Sequence, residues 1–103
     1  MALSFENIWI RVRNELQIGQ VIKNWGNARG FTGNTFQIIG ITEKIVECVP
    51  PKAKNSQKVP KGDFEKLWGI WQKYITDEIL RNEIGDMSRY SSYIISIFHH
   101  LGK

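Results

Sequence analysis

Arg89, Ser92 and Tyr93 fall within SRYSSY (residues 88–93), which opens the last apolar-periodic segment of the chain. In a major groove, arginine can pair with guanine, and serine can donate to or accept from several base edges. A helix that opens this way also offers free N–H groups and a partial positive charge that favour phosphate. Arg89, Ser92 and Tyr93 are therefore the expected base contacts. A second group is basic. Lys52, Lys54, Lys58 and Lys61 lie within residues 52–61, which hold no acid, and Arg29 lies in the glycine-rich GNARGFTGNT (26–35). Arg29, Lys52, Lys54 and Lys58 are the expected phosphate contacts, which position a nucleic acid without reading its sequence. A plain solvated loop would also account for the lysines.

Other residues capable of chemistry do not assemble into a reaction. His99 and His100 are adjacent, so on a helix they point about 100° apart and cannot share a metal as an i, i+4 pair does. His99 is expected to border the core and His100 to face water. Cys48, the sole cysteine, sits in an apolar strand-like run, where it acts as a small buried hydrophobe. Glu43 and Glu47 flank a hairpin and could touch a base or a metal, though an exposed strand face explains them equally. Asp77 and Glu78 occupy a helix surface. The glycine-rich stretch lacks the G-x-x-x-x-G-K-[ST] pattern and runs from helix to strand, the wrong order for a phosphate-binding loop. No enzyme activity, cofactor or metal is expected.

The elements that must position these residues follow from periodicity. Phe5, Ile8, Trp9, Val12 and Leu16 form one face of a helix over residues 4–17, with Ser4 as its N-cap. QVIKNW (20–25) is expected as a short second helix stopped by Gly26. Residues 26–35 read as a loop. Phe36–Ile41 and Ile45–Val49 read as a β-hairpin, and KVP (58–60) adds a possible third strand. Asp63 is expected to cap a helix over residues 64–80 that carries Phe64, Leu67, Trp68, Trp71 and Ile75 on one face. That stripe matches the first helix, so Trp9, Trp68 and Trp71 should share one core. LRNEIGDM (80–87) is a short helix. Ser88 is a good N-cap for the last, over 89–101, with Tyr90, Ile94, Ile97, Phe98 and Leu101 inward and Arg89, Ser92, Tyr93, Ser96 and His100 outward.

The fold expected is α+β. It comprises an N-terminal helix, a two- or three-stranded antiparallel sheet and C-terminal helices in a helix-turn-helix-like arrangement, in a single domain over residues 1–103. In layout, residues 36–101 resemble the winged-helix class, with one departure: here the hairpin precedes the helices. The chain of 103 residues carries a net charge of +4, which favours an acidic partner such as nucleic acid. A single cysteine, an N-terminus unlike a signal peptide and no long apolar run suggest a cytoplasmic, non-membrane protein. The function expected is a small nucleic-acid-binding module for duplex DNA. The alternatives are a protein-interaction module, such as a phage or mobile-element factor that binds a host protein, and a small homodimer. For an interaction module, Trp9, Trp25, Phe31 and Tyr93 would supply the anchors.

Overall fold

The computed structural model describes residues 4–27, 30–79 and 81–102. In chain order they form α1 (Phe5–Glu15), β1 (Val21–Gly26), β2 (Gly30–Ile41), β3 (Ile45–Val49), β4 (Gln57–Pro60), α2 (Lys61–Trp68), α3 (Trp71–Ile75), α4 (Arg81–Met87) and α5 (Ser91–His100). The architecture is α+β, with an N-terminal helix, an antiparallel sheet in the order β1-β2-β3-β4 and C-terminal helices. The sheet has four strands, not two or three.

The additional strand is β1, in the segment expected to be a short helix. Val21 and Lys23 point out while Ile22 is buried, a period of two. Six residues are too few for a helix to sustain itself without partners, whereas the strand gains a ladder from β2. Ile22 pairs with Phe36 and Lys23 with Thr35. β2 therefore runs back to Gly30, and much of the expected loop is strand. Gly30 (φ 72°) and Gly33 (φ 91°) take left-handed angles that glycine adopts freely. β2 starts at Gly30 and continues through Gly33, and the β1–β2 ladder slips between Lys23 and Trp25.

The hairpin expected at 36–49 is present. Thr42 closes it, its hydroxyl accepting from the N–H groups of Lys44 and Ile45. β4 pairs with β3, with Val59 opposite Val46 and Lys58 opposite Glu47. One face of the sheet is apolar: Ile22, Phe36, Ile38, Val46, Cys48 and Val59 are all buried. Ile8, Trp9, Val12 and Leu16 of α1 join the same core, and the Trp9 indole N–H donates to the Glu43 carbonyl at 3.0 Å. As expected, the Ser4 hydroxyl caps α1 by accepting from the Asn7 N–H.

The expected helix over residues 64–80 breaks. Gly69 closes α2, its N–H donating to the Glu65 carbonyl, and Ile70 leaves the helical region (φ −117°, ψ 4°) before α3 begins. Glycine is a weak helix former, and the break lets both halves of the aromatic stripe reach Phe98. Trp71 is buried and Trp68 half-buried, at 5.3 and 5.5 Å from that ring. Asp63 is not a cap, since Pro60 holds that position. Its carboxylate accepts from the Ser88 hydroxyl at 2.8 Å.

Ser88 in turn is not the N-cap of the last helix. Its oxygen accepts from the Tyr90 N–H at 3.0 Å, and α5 starts at Ser91. Six of the ten residues of α5 are buried, Ser91 and Ser96 among them. Ser96 and Tyr93, expected to face solvent, do not: α5 lies alongside β1 and also packs on α2 and α4. Among the described residues no helix is long and apolar enough to cross a membrane.

Candidate functional site

The residues expected to form the site separate into two groups on different sides of the sheet. Lys58 lies on its outer face, because its neighbour Val59 and the facing Val46 turn inward. Lys52 and Lys54 are exposed on the loop between β3 and β4. Lys52 has left-handed backbone (φ 63°) and lines a hollow of about 340 Å³ with Val21, Thr35, Gln37 and Val49. Arg29 lies outside the described residues.

Arg89, Ser92 and Tyr93 lie at the start of α5, on the helical side. Arg89 is exposed and its guanidinium sits 5.1 Å from the centre of the Tyr90 ring. Tyr93 is half-buried against Phe36, ring edge to ring face at 4.9 Å, and burial pushes its hydroxyl above the usual phenol range. Its ring serves the core. Ser92 is exposed and lines a hollow of about 460 Å³, whose polar groups include Asn24, Asn34, Tyr74 and Arg81. That hollow contains none of the lysines, and the hollow beside Lys52 contains neither Arg89 nor Ser92.

Two local devices shape the surface between these groups. The first is Ser96, 1% exposed. Its hydroxyl accepts from the Trp25 N–H at 3.0 Å and donates to the Ser92 carbonyl at 2.8 Å. A buried serine in α5 thereby satisfies a strand N–H at the irregularity in β1. The second is Asn27, beyond the end of β1. Its N–H donates to the Tyr74 hydroxyl at 2.9 Å. Its side-chain amide donates to the carbonyls of Tyr74 and Ile75 and to the Asp77 carboxylate. The β1–β2 arm is thus tied to the end of α3. β3 pairs with β2 only from Gln37 onward, so among the described residues β1 is the only strand beside β2 over Gly30–Phe36.

The arm carries residues that sequence reasoning left out of the site. Lys23 is exposed on its outer face, and its ammonium lies 5.8 Å from the centre of the Phe31 ring. Phe31 is 60% exposed. His99 stacks flat on Trp25 at 3.9 Å and meets Phe31 edge-on at 5.6 Å. Burial, and then the neighbouring His100, lower its pKa below 6.5. Two further hollows flank Phe31. One of about 360 Å³ lies toward His99 and His100, and one of about 270 Å³ lies toward Gly33 and Thr35. Neighbouring hollows share Val21, Lys23, Phe31 and Thr35, so they adjoin as a trough from Lys52 across the arm to the end of α5, and the hollow lined by Ser92 adjoins it through Ser96 and Asn34. A strand reading of residues 21–26 would have placed Lys23 and Val21 outward; the helix reading hid both.

The chain matches no family model, no curated protein and no solved structure. What the site can do chemically follows from its own side chains. Cys48 is buried on the inner face, and its thiol is pushed up to about 12, by burial first and then by Glu47, so it is no nucleophile at neutral pH. Glu47 accepts from the Ser56 hydroxyl. The polar side chains lining the trough are the ammonium groups of Lys23 and Lys52, the imidazoles of His99 and His100, the amides of Asn34 and Gln37 and the hydroxyls of Thr35 and Ser96, a set suited to holding an anionic ligand.

Proposed function

We propose that this chain is a small nucleic-acid-binding module that carries its ligand across the exposed face of its sheet. The observation that supports this most is the charge of that face. Lys23 and Lys58 project from the strands, Lys52 and Lys54 from the adjoining loop, and the carboxylate registered among them, Glu47, is engaged by Ser56. Lys23 and Lys52 line the trough, and Lys54 and Lys58 are exposed on the adjoining loop and strand, an arrangement that suits a phosphate chain.

A winged-helix-like mode, with Arg89 and Ser92 reading a duplex groove, belongs to the same proposal as its duplex-binding form. The trough is favoured over it because six residues of α5 are buried, which leaves that helix little surface to insert. The second reading is a protein partner, and the exposed Ile18, Val21 and Phe31 favour it.

The test is a titration against mixed-sequence single strands and duplexes at 50 and 200 mM salt. With three to four phosphate contacts, affinity for a single strand should fall roughly 20- to 50-fold between the two concentrations. Lys54→Ala should weaken binding to every sequence and lower the salt slope by about one. Arg89→Ala should blur base preference only in the groove-reading form. No binding to any polynucleotide at 50 mM salt would refute the proposal.

A further inference from the structure

We infer that Phe31 is a stacking platform for a base of a single-stranded polynucleotide, an inference that rests on the nucleic-acid function proposed above. A large aromatic ring left 60% exposed on a strand is an anomaly in a protein that buries Trp9, Trp71, Phe36, Phe64 and Phe98 in its core. Phe31 stands between two hollows, so the space beside it is open toward both α5 and the β2 backbone. Gly33 lines the second hollow with no side chain, and an added Cβ there would meet nothing within 4 Å.

The chemistry around the ring is that of a strand-binding groove. Lys23 lies 5.8 Å from its centre, close enough to reach a phosphate beside a stacked base. Asn34 and Thr35 line the hollow on one side of the ring, and His99 and His100 the hollow on the other. Every base has a π-face, so an aromatic ring beside a basic trough binds single strands with little regard to sequence. In a duplex those faces are stacked on each other and closed to Phe31. A low, trough-like surface has no element to insert in a groove, whereas an unstacked strand can lie along it. A free RNA and a free DNA strand present the same base faces and phosphates, so both belong to this ligand class.

The experiment uses a roughly 12-nucleotide single strand, as DNA and as RNA, each with one 2-aminopurine, and the duplex of the same sequence. The parent should bind either single strand more tightly than the duplex and quench the 2-aminopurine on binding. Phe31→Ala and Phe31→Leu should each lose roughly 5- to 150-fold in affinity, and Phe31→Trp should retain it. Phe31 is exposed, so all three variants should melt with the parent. The platform is overturned, and the nucleic-acid function left standing, if the duplex binds at least as tightly as the strand. It is likewise overturned if Phe31→Leu binds like the parent, or if Phe31→Ala leaves strand binding unchanged, which would turn the exposed ring toward a protein partner. Absence of binding by any polynucleotide at 50 mM salt would overturn both.

Discussion

Replacing Asn27 with alanine should loosen the arm that carries Lys23 and Phe31. The side-chain amide has two protons, and its best acceptors are the Asp77 carboxylate at 2.9 Å and the Tyr74 carbonyl at 3.0 Å. The Ile75 carbonyl at 3.3 Å shares one of them. An intramolecular hydrogen bond contributes about 0.5–1.5 kcal/mol net. Two such bonds at the half-buried Asn27 therefore predict a loss of about 1–3 kcal/mol in Asn27→Ala. In a chain of about 100 residues each kcal/mol moves the melting temperature by roughly 4–5 °C, so a drop of about 4–15 °C is expected. Amide exchange should rise most in β1 and in β2 before Phe36, where among the described residues no third strand supports the ladder. Tyr74→Phe removes the separate bond to the Asn27 N–H, and because both act on one contact, the double variant should cost less than the sum. A melt of Asn27→Ala within about 1 °C of the parent, with arm exchange unchanged, would refute the idea that this contact holds the arm.

Two further outcomes are expected. Trp71→Phe should be milder than Trp9→Phe by about 1.5–4 kcal/mol in a denaturant titration. The buried Trp71 N–H finds no acceptor among the described residues, so its removal relieves a cost, whereas Trp9 loses its bond to the Glu43 carbonyl. Equal losses would contradict this. His99, held neutral by burial and by His100, has its folded pKa below the unfolded value of 6.5. Its contribution to stability is complete above pH 6.5 and declines as pH falls through the window below. The parent's melting temperature should drop between pH values of about 7.5 and 5.5, and His99→Gln should flatten that drop; an equally steep drop in the variant would assign the effect elsewhere.

Much of this fold is legible in residue spacing. The stripe Phe5, Ile8, Trp9, Val12 and Leu16 marks α1 without reference to any other part of the chain. The β-branched runs around Thr42 mark the β2–β3 hairpin, because a period of 2 or 3.6 is a local property. The burial of Cys48 follows the same way. β1 was not legible: QVIKNW is too short to show a period, and what makes it a strand is pairing with β2, whose partners run from Gly30 opposite Gly26 out to Gln37 opposite Val21. The break at Gly69–Ile70 depends on Phe98, which receives both Trp68 and Trp71.

The site divides along the same line. Composition and the lysine-rich segment of residues 52–61 point to an acidic partner from the sequence by itself. Where that partner would lie depends on tertiary structure alone. A serine at position 96 looks like solvent-facing surface until the Trp25 N–H arrives to use its hydroxyl. With the His99 ring stacked on Trp25, that contact joins the polar side of α5 to β1. Lys23 and Phe31 become neighbours only when β1 and β2 pair in their irregular register. Spacing along a chain encodes which face of an element is apolar; which elements meet, and which side chains are left outside when they do, is decided by packing between segments distant in sequence.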